Sequence, residues 1–277
     1  MNRKKQTWED EAVYAERKKM ADDYFERQAL IKKEKEAERR KYLNDPKYKA
    51  KIELRQLKQR YGLDFFIEKP ENFKKLMVLC RKIDGGSRLS DVEVFWLSSE
   101  EYFTDALQTT YHKLEAEYYV DQFNKTNGPW NVVNGSSHYR KCNEPNTAES
   151  LLDRVNKDDI KNPKLKSALY TVHGGINRDK CIYDLAIDCG KQAHDLTPDD
   201  FRPCTLLGAV YMETGHFDLG RTWYEKAEKR GFKDKSVDSE LRSIFNKADK
   251  NRQIEMSKFL LDWDLERFRW AQVRKRR

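Results

Sequence analysis

Apolar residues recur along most of this chain at the three- and four-residue spacing of an α-helix. The clearest series is Phe103, Leu107, Tyr111, Leu114 and Tyr118, which places five apolar side chains on one helical face. Asn, Asp, Gly and Pro clusters separate the helical stretches from one another. These patterns predict an all-α protein.

The N-terminal part is predicted to be a charged arm, residues 1–61. A long helix from Thr7 to Leu43, with Thr7 as its cap, is followed by a second, basic helix from Tyr48 to Tyr61. The sequence Asn44-Asp-Pro46 separates the two helices, because proline disfavours a helical conformation in the residue before it. We place a linker boundary near Gly62.

Apolar residues in the first helix follow a heptad-like spacing, although the pattern is sparse. The positions are seven, four and seven residues apart, and Arg17 and Arg27 occupy the same seam; the apolar members are Val13, Met20, Tyr24 and Ile31. Three interpretations remain open: a solvated single helix, a coiled coil or partner-bound helix that allows oligomerisation, and an arm that contacts nucleic acid.

Residues 62–277 are predicted to form the compact part, built from helical hairpins. Ser90 and Glu93 have the spacing of a capping box at the start of a short helix. Ser99 is predicted to cap the long helix that follows, and Asn127-Gly-Pro129 is predicted to end it.

The segment 201–234 predicts two consecutive helices that pack closely. Gly208 lies in the middle of the first helix, where glycine costs roughly 1 kcal/mol relative to alanine. A neighbouring helix too close for a side chain is the best explanation. Gly215 and Gly231 end the two helices. The apolar positions of this pair are Leu206, Leu207, Val210, Tyr211, Phe217, Tyr224 and Ala227.

The same features occur one period earlier, in the segment 167–200. Three positions repeat at a distance of 34 residues: Gly174 and Gly208, Tyr183 and Phe217, and Ala193 and Ala227. Pro198 ends the earlier segment. A repeated pair of helical hairpins explains this register better than a coincidence of glycines does.

This pattern resembles the tetratricopeptide repeat, a 34-residue helix-turn-helix unit. The matching features are the Leu207-Gly208 pair, the turn glycine, the aromatic residues and the small residue of the second helix. The chain departs from the family at Cys204, Gly220 and Phe232, where the family usually has Trp, Ala and Pro. The resemblance implies a stack of antiparallel helical hairpins, with repeats at 167–200 and 201–234 and C-terminal capping helices within 237–270.

The resemblance also implies where a partner binds. In this family, residues of the first helix of each repeat line a concave groove that holds a peptide or a partner helix. By repeat register, the groove residues are Thr171, Arg178, Asp179, Arg202, Thr205, Met212 and Glu213. The Lys and Asn cluster with which family members hold a C-terminal carboxylate is absent from this set. An alternative is that flanking helices of the chain itself fill the groove.

The C-terminal helix is unusually apolar for a capping helix. Trp263, Phe268 and Trp270 must pack on another surface, because exposed aromatic side chains are costly. Two interpretations remain open. The helix folds back on the last repeat, or its aromatic residues anchor a partner.

Composition places the net positive charge in the arm. The chain has 277 residues and a formal net charge of +8, and residues 1–60 hold 19 Lys and Arg against 12 Asp and Glu. No apolar run approaches the length of a membrane span, and the N-terminus lacks an apolar signal region. Five cysteines without C-x-x-C spacing favour reduced thiols, so we expect a cytoplasmic protein with no membrane contact.

No catalytic constellation is evident in the sequence, so we expect no enzyme activity, metal or cofactor. His112 lacks a second histidine at metal-ligand spacing and is interpreted as a residue of the helix surface. Cys204 with His194 or His216 would imitate a thiol dyad, but no feature of the sequence brings them together. We therefore expect a non-catalytic protein-interaction module or scaffold, with a nucleic-acid-associated accessory protein as the alternative.

Overall fold

A computed structural model describes residues 10–65 and 67–272 of the chain. Every regular element within these residues is helical, and the helices pack in neighbouring pairs. The predicted all-α class is therefore confirmed. The chain divides into two compact units, Met1–Glu68 and Lys69–Arg277.

The described part of the first unit contains two helices, α1 (Glu11–Asn44) and α2 (Pro46–Arg60). Asp10 caps α1 by accepting a hydrogen bond from the backbone of the second residue of the helix; the predicted cap Thr7 lies outside the described residues. Asp45 separates the helices, because it ends α1 and its carboxylate accepts the N–H of Lys47 at 2.8 Å. The break between the helices thus falls at Asn44-Asp-Pro46, as the sequence predicts.

The second unit is a series of eleven helices among the described residues. They are α3 (Pro70–Asp84), α4 (Asp91–Ser99), α5 (Asp105–Thr126), α6 (Pro129–Lys141), α7 (Pro145–Leu152), α8 (Pro163–Asp179), α9 (Tyr183–Leu196), α10 (Phe201–Thr214), α11 (Phe217–Lys229), α12 (Asp234–Lys247) and α13 (Lys250–Trp263). Short 3-10 turns occupy Lys157–Asp159 and Arg269–Ala271. Proline starts five of the thirteen helices found in residues 10–65 and 67–272, including α6, α7 and α8, because its fixed φ suits the first helical position.

From α5 to α11 each helix packs against the next one, and alternate helices form an inner row. The pairs α8–α9 and α10–α11 have the most extensive contacts, followed by α5–α6 and α6–α7. Helices α6, α8, α10 and α12 also contact one another in that order. This row positions the surface described below.

Small residues permit the close approach of paired helices. A Cβ on Gly174 would lie 2.6 Å from Leu206 Cδ2 and 3.1 Å from Cys189 Cβ. A Cβ on Gly208 would lie 3.0–3.2 Å from ring carbons of Tyr224, which is fully buried. The close helix packing predicted at these two glycines is confirmed.

One predicted helix start is wrong. The capping box of Ser90 and Glu93 is present, but α4 continues through Ser99, and Thr104 caps α5 instead, accepting from Leu107 N at 3.3 Å. The C-terminal helix α13 ends at Trp263, and a turn and a 3-10 segment follow it. Phe268, beyond the end of α13, is fully buried, whereas Tyr102 and Phe103, beyond the end of α4, are half-buried.

Candidate functional site

A groove runs across the inner row of helices α6, α8 and α10. Its volume is about 1060 Å³, and its lining includes Trp130, Ser137, Ala168, Thr171, Arg202 and Thr205. Trp130 and Ser137 lie on the same face of α6, because they are two helical turns apart. Trp130 remains 48% exposed beside this groove. We call this surface the first groove.

A second groove of about 900 Å³ lies toward the C-terminal ends of the same helices and is lined largely by charged residues. Arg140, Arg178 and Glu240 line both grooves. The three residues therefore form a charged ridge that separates the two grooves.

Ion pairs between different helices build this ridge. Arg178 of α8 donates to Glu213 of α10 at 2.8 Å and to Glu240 of α12 at 3.0 Å. Burial alone would lower the pKa of Arg178. The hydrogen bond to Glu213 and the charge of Glu240 raise the pKa by more than burial lowers it, so the guanidinium stays charged. One arginine thus connects three helices of the inner row.

Arg140 extends the ridge to α6. Its Nε lies 2.7 Å from a carboxylate oxygen of Asp179 on α8. The guanidinium lies directly over Gly175, in the space that a Cβ there would occupy. Glycine at this position is therefore what allows the cation to cross from α6 to α8.

The seven residues expected from the repeat register fall into three environments. Thr171, Arg202 and Thr205 line the first groove. Arg178 lines both grooves, while Asp179 and Glu213 line the second groove. Met212 is fully buried in a core cluster that includes Val237 and Leu241, and its Cγ lies only 2.8 Å from where a Cβ on Gly220 of α11 would be.

The side chains of the first groove differ in their hydrogen-bond partners and in their exposure. Each threonine hydroxyl donates to a carbonyl of its own helix, Thr171 to Ser167 and Thr205 to Arg202, both at 2.9 Å. Arg202 pairs with Asp200 at 3.2 Å, yet its side chain is 67% exposed. Arg202 is therefore the most accessible cation of the predicted set.

The C-terminal aromatic residues fold back on the last hairpin. Phe268 is fully buried, and Trp263 and Trp270 pack against the same core cluster. The rings of Trp263 and Phe268 lie 5.1 Å apart, and those of Phe268 and Trp270 lie 6.3 Å apart. Of the two interpretations of this segment, the structure shows the fold-back.

One cysteine–histidine contact was not expected from the sequence. Cys204 Sγ lies 3.8 Å from His194 Nδ1, since α9 and α10 pack against each other. Burial raises the pKa of the Cys204 thiol and lowers the pKa of His194. These shifts favour the neutral thiol and the neutral imidazole, which is the opposite of an activated thiolate–imidazolium pair.

A histidine pair joins α5 and α6, and sequence reasoning missed it. His112 is half-buried and its Nδ1 lies 3.0 Å from Nδ1 of His138, while the ring of Tyr119 stacks on His138 at 5.7 Å. The interpretation of His112 as a residue of the helix surface is therefore wrong. The two histidines are 26 residues apart in sequence, so only the helix pairing brings them together.

The described residues contain no group of three or more His, Cys, Asp or Glu side chains placed to hold a metal ion. None of the helices in the described parts of the chain has the length and apolarity required to cross a membrane. Comparison of the chain with protein-family models, curated proteins and solved structures finds no match.

Proposed function

We propose that this protein is a non-catalytic interaction module of the tetratricopeptide-repeat type, whose first groove holds a segment of a partner protein. The observation that carries the proposal is the first groove itself, formed by successive inner helices. Its volume of about 1060 Å³ is at the upper end of the range of small-molecule pockets, so it has room for several residues of a peptide.

The lining of the first groove suits a peptide more than a small metabolite. It combines an exposed indole at Trp130, hydroxyls at Ser137 and Thr205, and an accessible guanidinium at Arg202. Aromatic and arginine side chains are the residue types most enriched at protein-binding hot spots. A partner segment with an apolar side chain for Trp130 and an acidic group for Arg202 meets these features.

Site-specific photo-crosslinking in source cells tests the proposal. A photoreactive residue at Ala168 or Thr205 reports on the first groove, and the same residue at Leu185 or Leu219 is the matched control. These leucines are 51% and 47% exposed and belong to the outer helices α9 and α11. We expect one protein partner to be linked from both groove positions and from neither control position.

A groove-filling variant makes the test independent of crosslinking chemistry. Thr171→Trp places an indole in the first groove and should abolish capture of the linked partner. Leu185→Trp adds the same side chain outside the groove and should leave capture unchanged. Equal capture by both variants would contradict the proposal, provided that circular dichroism shows that both remain folded.

A second candidate function rests on a different surface, the basic face of α2. Lys47, Lys51, Arg55 and Lys58 follow one another at four, four and three residues, which aligns them on one side of the helix. The single acid of α2 is Glu53. In α1, by contrast, acids and bases alternate. This face suits the phosphate backbone of a nucleic acid.

Salt dependence distinguishes this candidate from the first. About four phosphate contacts predict a slope of roughly −3 to −4 in a plot of log K against log salt concentration for duplex DNA. Lys47→Glu combined with Lys51→Glu should abolish binding to a labelled duplex, measured by fluorescence anisotropy. Lys49→Glu lies on another face of α2 and should have a smaller effect. If these substitutions leave the affinity for the duplex unchanged, the basic face of α2 is excluded as a nucleic-acid site.

A further inference from the structure

Helix α1 presents an apolar face that is largely exposed. The four apolar residues of its heptad seam are 43–57% exposed: Val13, Met20, Tyr24 and Ile31. Ala21 is the only buried residue of this helix among the described residues, and it lies about a quarter turn away from the seam. The four apolar side chains therefore lie on a separate face, which borders the surface that covers Ala21 at Arg17, a half-buried residue one helical turn before Ala21.

Charged residues continue the same seam in both directions. With Tyr24 and Ile31 at heptad position a, the remaining a positions hold Asp10, Arg17 and Glu38. The d positions hold Val13, Met20, Arg27, Glu34 and Lys41. The seam thus holds three acids and three bases, and their order decides which arrangements of two copies bring opposite charges together.

We infer that α1 pairs with α1 of a second copy of this chain as an antiparallel two-stranded coiled coil. In the register that aligns opposite charges, Arg17 faces Glu34 of the second copy and Met20 faces Ile31. Tyr24 then faces Arg27, an arrangement that allows a cation–π contact. The outer layers pair Asp10 with Lys41 and Val13 with the methylene groups of Glu38.

The alternative arrangements place like charges together. A parallel pair in register sets Arg17 against Arg17, Arg27 against Arg27 and Glu34 against Glu34. Moving the antiparallel pair by one heptad in one direction sets Arg17 against Arg27, and in the other direction it sets Arg17 against Lys41. Polar seam residues determine orientation and register in this way, because mismatched charges penalise the other arrangements.

The 34 residues of α1 are long enough for this contact. At 1.5 Å per residue the helix is about 50 Å long, which is enough for the a and d positions from Asp10 to Lys41 to pair with those of a second copy. This inference does not depend on the groove, since it concerns the first unit alone.

Charge reversal in the full-length protein tests the pairing by sedimentation equilibrium. Glu34→Arg places a guanidinium opposite Arg17 of the other copy at both ends of the seam, so two attractive pairs become repulsive. We expect the dimer dissociation constant to rise about tenfold. Glu36→Arg makes the same charge change away from the seam and should leave it unchanged. Arg17→Glu combined with Glu34→Arg should restore the dimer.

Disulfide trapping tests the orientation. In a Cys181→Ser background, Met20→Cys combined with Ile31→Cys should give covalent dimers on mild oxidation. Met20→Cys alone should not, because its two copies lie about 16 Å apart along an antiparallel pair. A monomer at every concentration would overturn the inference. So would equal weakening by Glu34→Arg and Glu36→Arg, or dimers trapped by Met20→Cys alone.

Discussion

Acidification should destabilise the second unit through the histidine pair of α5 and α6. Burial, followed by the charge of Lys141, lowers the pKa of both His112 and His138 from the ordinary value of 6.5 to about 4. The unfolded chain therefore binds protons between these two values while the folded chain does not. Stability should fall as the pH drops from about 6.5 toward 4 and should change little through this pair below that.

The size of the effect follows from the two pKa values. As the pH falls from 6.5, the pKa of an unfolded histidine, to 5, each histidine lowers the free energy of unfolding by about 2 kcal/mol. The interval is about 1.5 units, and one unit corresponds to about 1.36 kcal/mol. Because both rings are only half-buried, solvent screening reduces the sum of about 4 kcal/mol, and we expect about 2–3 kcal/mol for the pair. The two Nδ1 atoms lie 3.0 Å apart, so a single proton between them forms a hydrogen bond. If both Nδ1 atoms carried a proton, the two N–H groups would point at each other and repel.

Urea unfolding at pH 7.5 and pH 5, followed by circular dichroism, measures the difference. With an m value of roughly 2–3 kcal/mol/M, the midpoint of the wild-type protein should fall by about 1 M. His138→Gln should remove about half or more of this fall, whereas His216→Gln, which changes an exposed histidine, should leave it intact. A midpoint that drops equally in both variants would refute the assignment to this pair.

Two further changes test the packing and the charged ridge by urea unfolding at neutral pH. Gly174→Ala should lower stability by about 1–2 kcal/mol, since the clash with Leu206 and the backbone outweighs a gain of about 1 kcal/mol in helix propensity; an unchanged midpoint would mean that the helices separate easily. Arg178→Met leaves Glu213 and Glu240 without their cation and should cost about 2–3 kcal/mol, whereas Lys125→Met, which breaks an exposed pair, should cost less than about 0.5 kcal/mol.

Local sequence signals predict the helices and the hairpin register. The repeat register starts at Ser167 and Phe201, and the structure starts α8 at Pro163 and α10 at Phe201. The earlier start of α8 follows from Asn162, whose side chain accepts the N–H groups of Lys164 and Leu165 and caps the helix. Periodicity therefore identified the pair of helices, and capping fixed where they begin.

Contacts between distant helices were beyond the reach of the sequence. Met212 has the register of a groove residue, but it is buried in a core cluster with Val237 and Leu241 of α12, and the 201–234 pattern does not show that these residues join it. Glu240, which binds Arg178 across 62 residues, was missed for the same reason. Periodicity gives the face on which a side chain lies, but not which neighbour occupies that face.

The charged ridge links stability to the proposed partner site, and this affects how variants must be interpreted. Arg178 lines both grooves and also holds α8 to α10 and α12 through Glu213 and Glu240. Loss of binding in Arg178→Met would therefore have two causes that a binding assay alone does not separate. Within the part of the chain that the structure describes, the Thr205 hydroxyl donates only to its own helix, at 2.9 Å from Arg202 O. A bulky residue at Thr205 therefore changes the first groove with little effect on the ridge, and it is the better probe of the groove.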